Sequence, residues 1–407
     1  MSVTACALDM AGSVHATRVE LKKQLSQIDS DGQQAMKGSW YGRLIQVLYE
    51  PAESNNVRLR SQLDSSQIST LRKLLQDIAD DIQDAAGRQK DDASTYSALG
   101  ISSVGRDLSV TVLSADHTDV IIRPNCQQQR VEFSIEAIRK VVATALVQQE
   151  VNEWENLAEG FFFSMLHIPA SERDIAFDGP AAAFLFASPQ NKLITKKVEH
   201  KLGAQGTVVW KALAFIIGHE AHHLWSHQCE RTADDTAQQK IEAQADVLGT
   251  ILAVEAYNHT CGRALLASNE DVQVMLDPKK TPPEPSLEAR LQMERTPSPD
   301  LLVGASGFQA MQLALGALMS ADPSHPPPAE RLSMEERGTR SLVSKLFDQP
   351  LKDSWTLGLV SRISEVSKQE LIEGIYSDLA FAPNYRIEAS LICTDIRFQE
   401  RQRTSTF

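Results

Sequence analysis

The feature that most constrains this chain is an apolar stretch that ends in an HExxH pattern, formed by residues 219–223. Apart from Lys211, residues 208–217 are all apolar, which is typical of a helix buried on every face. On a helix, His219 and His223 lie at i and i+4, so both imidazoles leave the same face one turn apart. Two neutral nitrogens at that spacing can share one Zn²⁺, and Glu220 beside them can act on a metal-bound water. The pattern predicts a buried helix that binds a metal.

A second motif, ExxAD, follows at residues 242–246 and opens another helical run. A catalytic zinc site needs a third protein ligand and one open position, and Glu242 can be that ligand. Asp246, one turn later, can accept the outward N–H of a zinc-bound histidine and fix its tautomer. Other residues stay open as ligands or neighbours of the metal: Glu230, Asp234, Asp235 and His259 as the third ligand, His222 as an i, i+3 partner of His219, and His227 and Cys229 near the site.

A third motif contains His325, the prolines at 326–328 and Arg331. HExxH, ExxAD and HPP…R in this order resemble the gluzincin zinc metallopeptidases. Within them the segment is similar to the heat-shock membrane protease and CAAX prenyl protease family, and to the soluble phage-exclusion peptidases of the Lit type. The resemblance covers roughly residues 205–335.

The resemblance implies a zinc-dependent endopeptidase with one Zn²⁺ per chain and a protein or peptide as substrate. The metal ligands would be His219, His223 and Glu242, and Glu220 would activate the zinc-bound water. Asp246 would support a ligand, and His325 or Arg331 would stabilise the oxyanion. Two alternatives remain: a catalytically silent binding or regulatory protein in which zinc is structural, and a zinc amidohydrolase that acts on a small molecule.

The amino-acid composition limits the classes of protein to which this chain can belong. A chain of 407 residues with 42% hydrophobic and 23% charged residues is that of an ordinary globular protein. The net charge of −13 argues against a nucleic-acid partner, which would require a basic face. Five cysteines that are far apart and form no CxxC pair predict reduced thiols in a cytoplasmic protein. Glycine and glutamine interrupt the apolar residues 301–319, so we expect a core helix there and no membrane span.

The chain as a whole is expected to be α+β and mostly helical, with a zincin-like core of a small sheet and an active-site helix. We divide it into an N-terminal helical region at 1–100, a metallopeptidase domain at 101–335 with a Pro-rich loop at about 277–300, and a C-terminal mixed, helix-leaning region at 336–407. In the first region, helical spacing predicts a short helix around 21–28 and a longer one from Ser65 to Gly87, followed by a linker up to Thr95.

Period-2 patterns predict the strands. Residues 108–113 and 119–123 are separated by a short polar turn, so a hairpin is expected. Residues 131–135 form a third candidate strand that leads into a helix from about 136 to 157. Residues 161–166 and 183–187 are further strand or buried candidates. The resemblance implies that one edge strand pairs with an extended peptide substrate.

Overall fold

The computed structural model describes most of residues 40–142, 196–280 and 325–342, with short gaps in each range. This part of the chain is mostly helical with a small three-stranded sheet, as expected for an α+β protein. None of its helices has the length and hydropathy that crossing a bilayer requires. The predictions for residues 21–28, 161–166, 183–187 and 301–319, most of the Pro-rich loop, and the C-terminal region beyond residue 342 lie outside the described residues.

Helices dominate the first part of the chain. Helix α1 (Trp40–Leu48) leads into a two-stranded antiparallel ribbon of β1 (Tyr49–Pro51) and β2 (Val57–Leu59). Helix α2 (Ser65–Gln89) begins where the pattern predicts, because Asp64 and Gln67 exchange side-chain-to-backbone hydrogen bonds of 2.9 Å that cap its first turn. Its apolar stripe is buried at Leu71, Leu74, Leu75, Ile78 and Ile82.

The predicted linker from Gly87 to Thr95 is wrong over most of its length. Helix α2 continues to Gln89, and helix α3 (Ala93–Ala98) begins four residues later. The buried side chain of Gln89 accepts a hydrogen bond of 3.0 Å from the backbone N–H of Ala267 and donates one to its carbonyl. This tertiary contact stabilises the last turn of α2 against the helix-breaking tendency of Gly87.

The sheet contains β3 (Ser109–Val112), β4 (Ile122–Asn125) and β5 (Arg130–Phe133) in the order β3-β5-β4. The predicted hairpin between the first two strands is wrong, because both pair with β5: β3 in parallel and β4 antiparallel. The true hairpin joins β4 to β5, and Gln129 in its turn has a left-handed φ of 49°. Glycine or asparagine usually takes that conformation, so the turn carries no sequence signal.

The two motif helices, α4 (Lys196–Trp225) and α5 (Asp235–Thr260), pack along each other and against α2. Their backbones approach most closely where two glycines meet. A Cβ on Gly249 would lie 2.7 Å from the Phe215 carbonyl oxygen, and a Cβ on Gly218 would lie 3.0 Å from the Gly249 Cα. Only glycine permits this distance, and it brings the HExxH and ExxAD segments face to face. Helix α6 (Asn269–Leu276) follows and packs on α5 and α3.

Candidate metal centre

His219 and His223 project together from the last two turns of α4. The helix is fixed in the core by its apolar residues, of which Val209, Leu213, Ala214 and Ile217 are fully buried. The two Nε2 atoms lie 3.3 Å apart. This is the geometry that the i, i+4 spacing predicts for two histidines that bind one metal ion.

Glu242 of α5 supplies an oxygen opposite these imidazoles. Its Oε2 lies 3.1 Å from His219 Nε2 and 3.5 Å from His223 Nε2. Its other oxygen, Oε1, accepts a hydrogen bond of 2.6 Å from the amide of Gln238, one turn earlier on α5. Gln238 belongs to none of the three sequence motifs, although an amide four residues before a candidate ligand on a helix is a readable signal. The hydrogen bond holds the carboxylate so that Oε2 points at both histidines.

Asp246 and Arg331 fix the orientation of His219. The Nδ1–H of His219 donates a hydrogen bond of 2.8 Å to Asp246 Oδ1, which leaves Nε2 facing Glu242. Arg331 donates from Nε and Nη2 to the two oxygens of Asp246 at 2.6 and 2.5 Å, a bidentate pair. Both side chains are buried. The guanidinium of Arg331 therefore acts on the centre through the Asp246 carboxylate.

His325 reaches the same centre from the third motif. Its Nε2 lies 3.1 Å from Glu242 Oε2, and its ring stacks on that of His219 with 6.5 Å between centroids. His219, Glu242 and His325 each offer one ligand atom, all within 4.8 Å of one another, so this group can hold a metal ion.

Glu242 Oε2 lies close enough to the neighbouring imidazole nitrogens to share a metal ion with them. Zinc binds histidine nitrogens and carboxylate oxygens at about 2.0–2.2 Å, so a regular tetrahedron of such ligands has edges of about 3.3–3.5 Å. Glu242 Oε2 lies 3.1, 3.1 and 3.5 Å from the three imidazoles, and the Nε2 atoms of His219 and His223 are 3.3 Å apart, which is close to this range. Imidazole and carboxylate groups are common metal ligands.

Charges within this group shift its pKa values strongly. Burial alone would lower the pKa of His219, but its hydrogen bonds to Asp246 and Glu242 outweigh burial and raise it to about 10. Burial would raise the pKa of Glu242, yet hydrogen bonds from His219, His223 and His325 bring it well below its ordinary value. The pKa of Asp246 is also lowered, because the charge of Arg331 and the bond to His219 exceed the effect of burial. A proton on His219 therefore occupies the place that a cation would take.

Glu220 lies next to His219 on α4 and is half-buried. Burial raises the pKa of its carboxyl group, against the opposing effect of the neighbouring histidines His219, His223 and His325. A carboxyl group with a raised pKa beside a metal-binding group is suited to take up and release a proton.

The remaining candidates lie outside the centre. His222 is fully buried and donates from Nε2 to the Leu99 carbonyl at 2.9 Å, and burial lowers its pKa to about 4. His227 is exposed in the turn that ends α4, with a left-handed φ of 58°. Asp234 caps α5 through a 3.0 Å bond from the Thr236 N–H, and Asp235 is exposed. Glu230 and the side chain of His259 are not among the described residues.

The prediction of five reduced cysteines is wrong for one pair. Cys126 and Cys229 form a disulfide, with their Cα atoms 6.0 Å apart. They are separated by 103 residues in the sequence, so only the packing of α4 against β4 and β5 brings them together. Cys229, which stayed open as a neighbour of the metal, is therefore bonded to Cys126 and is not a free thiol.

Comparison with protein-family models, curated proteins and solved structures gives no match for this chain.

Proposed function

We propose that this chain is a zinc metallopeptidase of the gluzincin type that cleaves peptide bonds of a protein substrate. One observation carries the proposal: His219 Nε2, His223 Nε2 and Glu242 Oε2 converge within 3.5 Å of one another, with Glu220 adjacent on α4. The zincin-like core, the peptide substrate and a cytoplasmic location are parts of the same proposal. The motif order and the α+β fold support it.

Each residue of the centre has a distinct part in this reaction. His219, His223 and Glu242 would hold a zinc ion, which would supply Lewis-acid chemistry to the substrate carbonyl and to water. Glu220 takes a proton from the attacking water and passes it to the leaving amine. Asp246 keeps the proton of His219 on Nδ1, so that Nε2 is available as a ligand.

The position of His325 determines whether the metal would keep one place free for water or have four protein ligands. Catalytic zinc sites keep one position for water, whereas sites with four protein ligands are structural. With Nε2 3.1 Å from Glu242 Oε2, His325 stands where a fourth ligand would be. Hydrolysis therefore requires that His325 withdraw from this position, and its side chain, 30% exposed, is the most accessible of the candidate ligands. Once withdrawn, the imidazole can donate a hydrogen bond to the oxyanion, as the motif implies.

The same observation favours a second candidate function. If His325 stays bound, the centre is a closed structural site and the chain is a catalytically silent binding protein. A base at position 220 would then have no use. The two candidates differ in what His325→Ala does. A catalytic site keeps its zinc but hydrolyses more slowly, because the oxyanion loses its hydrogen bond, whereas a structural site loses zinc affinity and shows no hydrolysis in either form.

Glu220→Gln tests the catalytic proposal directly. Glutamine has nearly the same size but cannot accept the proton, so we expect the zinc content and unfolding temperature to stay the same while hydrolysis stops. New protein N termini are compared by mass spectrometry in cells that express wild type or the variant. Glu270→Gln, the same change at an exposed position of α6, is the matched control. Cleavage products that persist in Glu220→Gln would rule out Glu220 as the base.

A further inference from the structure

The Cys126–Cys229 disulfide lies next to the backbone of His223, one of the candidate metal ligands. Cys126 follows β4 in the turn to β5, and Cys229 follows the end of α4. The Sγ atoms lie 4.0 and 3.7 Å from the carbonyl oxygen of His223, which also accepts a 2.9 Å hydrogen bond from the Gln228 N–H. The bond thus ties the last turn of α4, where His223 is located, to the sheet.

A second connection leads from the same segment to Glu242. Thr232, three residues after Cys229, donates its backbone N–H to Gln238 Oε1 at 3.0 Å. Gln238 then donates from Nε2 to Glu242 Oε1 at 2.6 Å. Gln238 is buried, so its amide has both of these partners fixed in the interior. The segment held by the disulfide therefore supports candidate ligands on both motif helices.

We propose that the Cys126–Cys229 bond is a redox-controlled clasp on the metal centre, an inference that rests on the proposed zinc site. In the oxidised chain the clasp holds His223 and Glu242 in place. In the reduced chain the segment after α4 is released from the sheet, and the zinc affinity falls. Outer contacts of this kind typically change metal affinity by about 10–100-fold when they are lost.

The chemical step is a thiol–disulfide exchange with a dithiol as reductant. One thiolate of the dithiol attacks Sγ of Cys126 or Cys229, forms a mixed disulfide and displaces the other cysteine as a thiolate. The second thiol of the reductant then displaces the bound cysteine and closes its own disulfide. Two electrons and two protons pass to the protein. Both cysteines are only partly buried, which leaves the bond accessible to such a reagent. In the cytoplasm, where disulfides are usually transient and regulatory, this exchange would operate in both directions.

The clasp is tested by the rate at which a chromophoric chelator removes zinc from the full-length protein. We expect release to be about tenfold faster after reduction with a phosphine, which unlike a thiol does not compete for zinc. Cys126→Ser/Cys229→Ser should release zinc at the fast rate with or without the phosphine. A matched variant with Ser at the other three cysteines (Cys6, Cys261 and Cys393) should keep the redox difference.

Equal release rates for the oxidised and reduced wild type would overturn the clasp, as would peptide mapping that finds both cysteines free after air oxidation. Cleavage of labelled casein, followed on the same samples, separates this result from the peptidase proposal. Redox-dependent zinc release without any cleavage would leave the clasp standing and count against the peptidase. Amide exchange of residues 223–229 in zinc-free protein gives an independent measurement. Equal protection in both redox states counts against the clasp whatever the metal content.

Discussion

At the scale of single residues, the contacts that run from Arg331 through Asp246 to His219 determine how the His219 imidazole is oriented in the centre. Asp246 is fully buried, and it shares its two oxygens between a guanidinium and an imidazole. A buried carboxylate is tolerated only when paired in this way. The pair also joins the third motif to the helix that carries the second, so one ion pair serves both stability and ligand orientation.

Replacing Arg331 with Met should therefore lower the free energy of unfolding. The Asp246 carboxylate would lose its cation while remaining buried, which typically destabilises a fold by about 3–5 kcal/mol. Urea unfolding measures the loss. The control is Arg337→Met, because Arg337 is half-buried and hydrogen-bonds backbone carbonyls of α6 rather than a buried charge. Similar losses in the two variants would show that the Asp246 pair has no special weight.

Zinc binding should depend on pH through His219. Its pKa of about 10 lies above the ordinary 6.5, so the protonated form stabilises the metal-free protein fully below about pH 6.5, and this contribution is lost as the pH rises through about 10. The groups that face this imidazole are Asp246, Glu242, His223 and His325. Zinc requires the neutral ring, so we expect its affinity to rise about tenfold per pH unit between about 7 and 9.

Calorimetric titrations at pH 7 in buffers of different ionisation enthalpy check this prediction, because each zinc ion bound should release about one proton from His219. An enthalpy that does not change with the buffer would mean that His219 is already neutral in the metal-free protein.

At the scale of elements, the crossing of α4 and α5 at Gly218 and Gly249 determines how closely the two motifs approach. Gly249→Ala places a methyl group 2.7 Å from the Phe215 carbonyl oxygen, so the helices must separate. We expect a loss of about 1–3 kcal/mol in stability and weaker zinc binding. Gly87→Ala is the matched control: a Cβ there meets nothing within 4 Å, so this helical position should gain stability. Unfolding midpoints and zinc titrations of both variants give the comparison.

Some of these helices and strands can be predicted from the sequence, and others cannot. Helix α2 and both motif helices are predictable, because helical spacing and local caps act within a few residues. The pairing of β3 with β5 is not, since it depends on contacts distant in sequence and on a turn in which Gln129 replaces the usual glycine. The residues of the centre can be identified from the sequence because they belong to motifs. That Cys126 lies beside Cys229 follows only from packing.

At the scale of the whole molecule, the centre gathers α4, α5 and the segment around His325, which are far apart in sequence. Zinc bound there would link them and stabilise the native state by about 4 kcal/mol when its concentration is a thousand times its Kd. We therefore expect a chelator to lower the unfolding temperature of the wild type. The double variant His219→Ala/His223→Ala should unfold at a temperature that neither zinc nor chelator changes. A wild type insensitive to the chelator would argue against bound zinc.

The packing of α2 also has a consequence for biosynthesis. This helix ends at Gln89 and packs on α1 and β3, which are near it in sequence, but two of its other partners, α4 and α5, begin only at Lys196 and Asp235. A nascent chain leaves the ribosome from its N-terminus, so the part of α2 that packs on α4 and α5 stays uncovered while the intervening segment is translated. Contacts of such long range make folding slow and expose it to aggregation. We therefore expect chaperones to engage ribosome-bound chains of this length range, and to leave once α5 has emerged.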